Sequence, residues 1–222
     1  MKVDCRAAAR VVSLGAVVLL AGCVVNAPPV SERTPDGLVR VQSTQMDTVY
    51  VAPGATLGAY RSLILDPVHL AFKLDWQQRN PGVTAAQVEL IRSQGSRIFY
   101  EVFSSALTQQ HGYPLTTQPG SNVLKVSASL TELDVSVAPG TSGSQSMFIV
   151  SPDDLTLTLE LRDSQSGALL ARAVDKEKGR AYGNLKVEGS VENSAEARRA
   201  LEMWAGLLRK GLDTARGTPP AP

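Results

Sequence analysis

Few side chains in this sequence are suited to catalysis or metal binding. The 222 residues include two cysteines and two histidines. A zinc site needs three or four such ligands held together, so we expect neither a metal nor a cofactor. No Gly-x-Ser-x-Gly, phosphate-binding loop, dinucleotide fingerprint or His-Glu-x-x-His motif occurs in the sequence. Cys23 is the most distinctive of the candidate residues, because it follows Leu20, Ala21 and Gly22 at the end of an apolar run.

The segment before Cys23 has the layout of a secretory signal. Lys2, Arg6 and Arg10 give the first ten residues a net positive charge despite Asp4, and residues 11–20 are almost wholly apolar. A helix of ten residues is about 15 Å long, half of the roughly 30 Å hydrocarbon core of a bilayer. The apolar run is therefore too short to anchor the protein by spanning a membrane.

Leu20-Ala21-Gly22-Cys23 resembles the lipobox of bacterial lipoproteins. The resemblance implies that the thiol of Cys23 is acylated and that the preceding bond is cut, so that lipidated Cys23 becomes the first mature residue. It also implies an outer-membrane address, because the next residue is Val24 rather than an acidic residue. We expect a protein held by its lipid at the periplasmic face of the outer membrane. The alternative is an ordinary secreted protein with an incidental cysteine.

The sequence after the signal predicts one folded domain. Removing 22 residues from 222 leaves 200, enough for a single domain with a substantial core. Residues 23–37 lack an apolar period and are predicted to be the lipidated N-terminus and a flexible tether. Residues 38–216 are predicted to form a single periplasmic α/β domain, and the Pro-rich residues 217–222 a disordered tail.

Charge and cysteine content exclude two further features. Loss of residues 1–22 removes three basic residues and one acidic residue, so 22 basic and 21 acidic residues fall to 19 and 20. A net charge of −1 gives no electrostatic case for binding nucleic acid. Cys5 is also lost and Cys23 is acylated, so no disulfide is expected and the fold must depend on its core.

Alternating apolar residues predict a mostly antiparallel sheet of about four to six strands. The predicted strands are residues 63–65, 68–76, 123–137, 155–161 and 168–174. Pro67 predicts a bend between the first two, and the change of phase between Leu130 and Leu133 predicts a bulge. His69 and Asp75 are predicted to lie on a solvated strand face, since one histidine without a second ligand is poor metal chemistry.

Two helices are predicted to pack on this sheet, which makes the fold class α/β (α+β). Thr84 and Gln87 form a capping-box pattern, and a broad apolar face follows as far as Gly112. A second apolar face begins near Asn193 or Ser194, and Trp204 is predicted to be its core anchor.

These elements resemble a known family. The segments that carry the resemblance are residues 64–68, Gly112-Tyr113-Pro114, residues 161–171 and the helix around Trp204. Together they are similar to the bacterial lipoproteins grouped as domain of unknown function 3313 (DUF3313), over most of the mature chain. The family has no established activity, so the resemblance implies an address and a fold and leaves the function open.

Carboxylates are the remaining candidates for acid–base chemistry or cation binding: Asp153, Asp154, Asp163, Asp175 and Glu177. The charge alternates in sign from residue 175 to residue 178, which indicates a solvated surface. Asp163 begins an Asp-Ser-Gln-Ser-Gly segment that predicts a hairpin turn. We therefore expect no catalytic residues.

Residues 138–152 form a Gly- and Ser-rich segment that encloses four successive apolar residues, Met147, Phe148, Ile149 and Val150. Long loops in compact domains are commonly functional or mobile. The apolar residues are candidates for contact with an envelope protein or with a second copy of the chain. The favoured alternatives are structural: these residues complete the sheet as an edge strand or cover the core.

The sequence supports three functional hypotheses. The first is a non-enzymatic accessory, assembly or binding component of the bacterial cell envelope, in contact with the membrane through Cys23. The second is a module that binds a lipid or another small envelope molecule, which requires an unfilled apolar cavity. The third is a hydrolase with a dispersed acidic site, which requires carboxylates that meet in one cleft.

Overall fold

The computed structural model describes residues 32–43, 45–137, 148–151, 155–177 and 190–217. Its strands are β1 (Val39–Val41), β2 (Thr48–Val51), β3 (Ser62–Leu65), β4 (His69–Phe72), β5 (Val123–Val137), β6 (Phe148–Ser151), β7 (Thr156–Asp163) and β8 (Leu169–Lys176). Its helices are α1 (Trp76–Arg79), α2 (Ala85–Thr108) and α3 (Ser190–Arg216), with one further 3-10 turn (Leu57–Ala59).

One sheet contains all eight strands of the described residues. The strand order is β1-β2-β8-β7-β5-β3, and β4 and β6 pair with the second half of β5. β3 and β4 run parallel to β5, and the other neighbours are antiparallel. The mostly antiparallel α/β fold predicted from the sequence is confirmed. The additional strands are β1, β2 and β6. β1 and β2 form a hairpin on the outer edge of β8, and β6 lies in the segment for which an edge strand was one of the alternatives.

The long strand β5 has the bulge that its sequence predicts. Leu70 of β4 pairs with Leu130, and Phe72 pairs with Leu133, so β5 has one more residue than β4 between these pairs. Glu132 takes up the extra length with a φ of 60°. The bulge lets Leu130 and Leu133 both point into the core, where they are 5% and 6% exposed.

The strand predicted for residues 68–76 was too long. β4 ends at Phe72, and Trp76 is the first residue of α1. The two rings stack with centroids 4.2 Å apart, and the Trp76 indole N–H donates to the Val135 carbonyl at 2.6 Å. The apolar alternation continues past the end of β4 because the turn between β4 and α1 places Phe72 and Trp76, four residues apart, on the same side of the chain. His69 is exposed, as predicted.

Both predicted helices are present, with small differences at their ends. The Thr84 capping box is formed, and α2 ends at Thr108, four residues before Gly112. A Cβ atom on Gly112 would collide with the Leu107 carbonyl, so this position accepts only glycine. α3 begins at Ser190, three residues before the predicted start at Asn193.

The core lies between one face of the sheet and the two long helices. Alternate residues of β7, namely Leu157, Leu159 and Leu161, are buried, whereas the residues between them are partly exposed. From α2, Phe99 and Phe103 stack with centroids 4.1 Å apart. Trp204 of α3 is fully buried in the same cluster, as predicted. The described residues therefore form a two-layer α/β arrangement.

Candidate functional site

An apolar cavity of about 230 Å³ lies between α3 and the β2–β8–β7 part of the sheet. The sheet side is formed by Val49, Val51, Leu159, Leu161, Ala171 and Ala173, and the helix side by Leu207, Leu208, Gly211 and Leu212. Met46 and Leu57 also line the cavity, and the polar residues Ser43 and Gln45 complete its wall. These residues constitute the candidate site.

Small residues create the cavity. Strand periodicity directs Ala171 and Ala173 of β8 toward α3, beside their β7 partners Leu161 and Leu159. A methyl side chain reaches much less far than that of leucine or valine. On the helix side Gly211 has no side chain, and a Cβ atom there would have no heavy atom within 4 Å. Sheet and helix therefore leave a volume that larger aliphatic side chains would fill.

The cavity runs from the surface into the core. Ser43, Gln45 and Gly211 are exposed, whereas Leu159 and Ala171 are only 2% and 5% exposed. No lining residue is ionisable. A cavity of roughly 150 Å³ already accepts benzene, while pockets for drug-sized ligands hold about 300–1,000 Å³. This cavity thus suits one small apolar group or one alkyl chain.

A polar depression of about 370 Å³ adjoins the mouth of the cavity. Its lining consists of Glu32, Arg40, Val41, Gln42, Ser43 and Asp47. Ser43 also lines the cavity, so the apolar and polar surfaces are continuous there. We call this hollow the polar depression.

The expectation that Asp175 lies on a solvated surface was wrong. Asp175 is 9% exposed, and its two oxygens accept hydrogen bonds from the Trp204 indole N–H at 2.8 Å and the Asp47 amide at 2.9 Å. The alternating charges around it obscured the strand period, in which Asp175 is in phase with Ala171 and Ala173. The carboxylate joins β8 to α3 and to the start of β2, and these elements form the cavity wall.

A second polar cluster fixes the C-terminal part of α3 to α2. Arg209 donates to Asp213 at 2.8 Å and to the Gln109 carbonyl at 2.8 Å. Arg216 donates to the Tyr113 hydroxyl at 3.2 Å. Burial raises the pKa of Tyr113, and the hydrogen bond from Arg216 opposes that rise. Arg209 and Arg216 each bind a group that holds the end of α3 in place, and Asp213 accepts from Arg209. We therefore assign this cluster a structural role.

The described residues contain no group of three His, Cys, Asp or Glu side chains that could hold a metal ion. Of the carboxylates singled out from the sequence, Asp153 and Asp154 lie outside the described residues. Asp163 lies in the hairpin turn and Asp175 is bound to Trp204, so these two do not share a cleft. Glu32 and Asp47 both line the polar depression. In the part of the chain that the structure describes, no helix has the length and hydropathy needed to cross a bilayer.

The residues singled out from the sequence are only partly described. Leu20, Ala21, Gly22 and Cys23 lie outside the described residues, so lipidation of Cys23 stays a prediction. Met147 also lies outside them. The backbone of residues 148–151 forms β6, in which Ile149 pairs with Ser136 of β5. Contact of residues 147–150 with a partner stays a prediction.

The cavity itself was not found from the sequence. The alternation of Leu159 and Leu161 with polar residues predicted a buried face, but no pattern showed that the face opposite α3 was incompletely filled. The available indications were the alanines of β8 at core positions and Gly211 within the apolar run of α3.

Fold and site together define a two-layer α/β protein with an apolar cavity between sheet and helix. The family of proteins of unknown function DUF3313 matches residues 33–208. The chain therefore belongs to the DUF3313 family, as its sequence predicted.

The solved structures that are similar to this chain include a PelC dodecamer from Paraburkholderia phytofirmans. The two chains are 14% identical, the match covers 70% of this chain and 97% of that one, and the TM-score is 0.33. A neuraminyllactose-binding hemagglutinin homolog from Helicobacter pylori is 10% identical, with 80% and 96% coverage and a TM-score of 0.36. No curated protein matches the chain.

Proposed function

We propose that this protein is a non-enzymatic lipoprotein of the outer membrane that binds a lipid chain or another small apolar molecule. The observation that carries the proposal is the uncharged cavity between α3 and the sheet. A fully packed core with an exposed apolar patch would favour assembly, and carboxylates meeting in a cleft would favour a hydrolase. The lined cavity favours binding.

The chemistry of the cavity sets the expected affinity. Each buried methylene group contributes about 0.8 kcal/mol, so six would contribute about 5 kcal/mol before the entropy cost of association. We therefore expect dissociation constants no tighter than about 0.2 mM, in the millimolar range, for simple alkyl compounds.

Photo-crosslinking with an uncharged alkyl diazirine tests the cavity in the full-length protein. Peptides that contain Met46 and Leu208 should be labelled in the wild type. Gly211→Leu should reduce that labelling at least tenfold, because the new side chain extends from the cavity wall into open space. Gly206→Leu is the matched control, since Gly206 is an exposed α3 residue that does not line the cavity. Equal labelling in both variants would refute the binding proposal.

The proposed location at the outer membrane depends on lipidation of Cys23, and it can be tested separately from the cavity. The wild type should incorporate labelled palmitate and sediment with outer membranes. Cys23→Ala should incorporate none and be released from the membrane fraction. Identical behaviour of the two proteins would reject lipid attachment, without bearing on the cavity.

Assembly with an envelope protein or with a second copy is a second candidate, supported by β6. This strand pairs with β5, and among the described residues no other strand pairs with it. A strand edge that is not paired with a neighbouring strand can accept one from another chain. Phe148→Asp should abolish association without lowering the melting temperature, and unchanged association would exclude this segment as the interface.

A further inference from the structure

We propose that the ligand is a single-chain zwitterionic amphiphile, a lysophospholipid-like molecule whose alkyl chain enters the cavity and whose headgroup lies in the polar depression. This inference rests on the proposed function, because it assigns a headgroup to a ligand that the cavity alone does not specify.

The first argument is the continuity of the two hollows. Residues 40–43 and 45–47 lie along both of them. Ser43, Gln45 and Met46 line the apolar cavity, and Arg40, Gln42 and Asp47 line the polar depression. Since Ser43 belongs to both, a chain that fills the cavity brings the group attached to it into the polar depression. A purely apolar ligand would leave that depression unused.

The second argument is charge. Arg40 and Glu32 both line the polar depression, and neither side chain has a hydrogen-bond or ion-pair partner among the described residues. Asp47, by contrast, accepts a hydrogen bond from the Lys176 amide at 3.2 Å. An arginine fork suits a phosphate, and a carboxylate suits an ammonium group. Arg40 and Glu32 thus offer one charge of each sign to a headgroup that carries both charges, and Asp47 adds a second carboxylate to the lining.

The third argument is the division of volume. The cavity of about 230 Å³ is uncharged, so neither charge of the headgroup has a partner inside it, and burying an unpaired charge is costly. The cavity is also below the roughly 300–1,000 Å³ of drug-sized ligand pockets, which favours one chain over two. The polar depression, at about 370 Å³, has room for the headgroup.

Competition against the diazirine label tests the headgroup in the full-length protein. The competitors share an octyl chain and differ in their heads: octyl phosphocholine is zwitterionic, octyl phosphate anionic, octylamine cationic and octyl glucoside uncharged. Octyl phosphocholine should halve the cavity labelling at a concentration about fivefold below that of octyl glucoside, as expected for charge pairs near a surface. It should also compete better than octyl phosphate or octylamine.

Variants of the two charged residues separate their roles. Arg40→Gln should bring octyl phosphocholine to within about twofold of octyl glucoside, and Glu32→Gln should remove its advantage over octyl phosphate. Arg199→Gln, at an exposed α3 arginine outside both hollows, should keep the preference of the wild type.

The outcomes distinguish the inference from the proposed function. If all four compounds compete equally and Gly211→Leu still abolishes labelling, the cavity binds alkyl chains and the headgroup assignment is wrong. If octyl phosphate or octylamine competes best, the ligand is singly charged and the zwitterionic assignment is also wrong. If the wild type shows no cavity labelling, both proposals fail.

Discussion

The carboxylate of Asp175 connects three elements at the inner end of β8. Its partners are the fully buried indole of Trp204 and the amide of Asp47. A buried donor that loses its acceptor keeps the whole cost of desolvation. Asp175 therefore contributes more to the free energy of unfolding than a solvated residue of a charged surface segment would.

Asp175→Ala should lower the free energy of unfolding by about 2–3 kcal/mol, because the Trp204 N–H and the Asp47 amide both lose their acceptor. Urea unfolding followed by tryptophan fluorescence would measure the change. The control is Asp75→Ala, which removes an exposed carboxylate paired with Arg79 and should have a smaller effect. Equal losses in the two variants would contradict the structural role of Asp175.

Tyr60 and Asp163 form a pair that links the 3-10 turn to the β7–β8 hairpin. The Tyr60 hydroxyl donates to Asp163 at 2.9 Å. Burial, together with this bond, raises the pKa of Tyr60 from 10.0 to about 12. Hydrogen bonds from the Ser166 amide and hydroxyl, and then from Tyr60, lower the pKa of Asp163 from 3.8 to about 2.

The pair should make stability depend on pH at both extremes. The contribution of Tyr60 is complete below pH about 10 and is lost as the pH rises through about 12. That of Asp163 is complete above pH about 4 and is lost as the pH falls through about 2. The stability difference between wild type and Tyr60→Phe should therefore be constant near neutrality and shrink above pH about 10.

Urea midpoints across pH would measure this difference. The control is Tyr100→Phe, which removes a half-exposed tyrosine of α2 and leaves the pair between the turn and the hairpin intact. The same pH dependence in both variants would show that the Tyr60–Asp163 bond is not its source.

At the scale of single residues, the sequence predicted those whose role is local. The Asp163 turn and the Thr84 cap each depend on residues within four positions, so their patterns were sufficient. Asp175 depends on Trp204 and on Asp47, which is 128 residues away. No local pattern contains such a partner.

Glycines in and against α3 have opposite structural roles. Gly206 and Gly211 lie within the helix, and a Cβ atom on either has no heavy atom within 4 Å. Gly58, in the 3-10 turn, lies so close to α3 that a Cβ atom would collide with the Ala215 carbonyl. The first two glycines cost helix stability, whereas the third allows close packing.

Gly206→Ala should raise the free energy of unfolding by about 0.5–1 kcal/mol, because alanine favours helix and the side chain meets open space. Gly58→Ala should lower it by about 1–3 kcal/mol, since the turn must move away from α3. Chemical denaturation of both variants gives the comparison. A stable Gly58→Ala protein would show that the contact between turn and helix is adjustable.

At the scale of elements, the long strands and helices were predicted from their period, and the short strands β3 and β4 from the apolar residues on either side of Pro67. β5, β7 and α2 each contain several repeats of their period, so their existence, and the bulge in β5, followed from the sequence. β1 and β2 have three and four residues, too few for a period to emerge. They form strands because β2 pairs with β8 and β1 pairs with β2. The pairing of β2 with β8 is a tertiary contact that local sequence does not contain.

For the whole molecule, ligand binding should appear as thermal stabilisation. An alkyl compound at ten times its dissociation constant adds about 1.4 kcal/mol to the stability of the native state. For a domain of this size that corresponds to a rise of about 3–5 °C in Tm. Gly211→Leu should show no rise, and Gly206→Leu should match the wild type. A similar rise in all three proteins would indicate binding outside the cavity.

The candidate site could not be predicted as a whole, because a cavity is a property of packing between distant elements. Its walls come from Ser43, from residues 45–57, from the β7–β8 hairpin and from α3. The sequence predicted the buried faces of the hairpin and the helix, and it contained the small residues. A cavity remains between those faces only if the sheet and the helix are far enough apart. The periodicity of the sequence does not indicate that distance.

The pairing of β2 with β8 also bears on the order of folding. Asp47 and Asp175 are 128 residues apart, and closing a loop of that length costs about 4 kcal/mol by the logarithmic rule. The β7–β8 hairpin and its contacts with β5 require much shorter loops, so the cavity wall should form late. A ligand can then bind only after the rate-limiting step of folding. In stopped-flow experiments it should slow unfolding and leave the refolding rate unchanged, so the bound molecule would stabilise the finished fold kinetically.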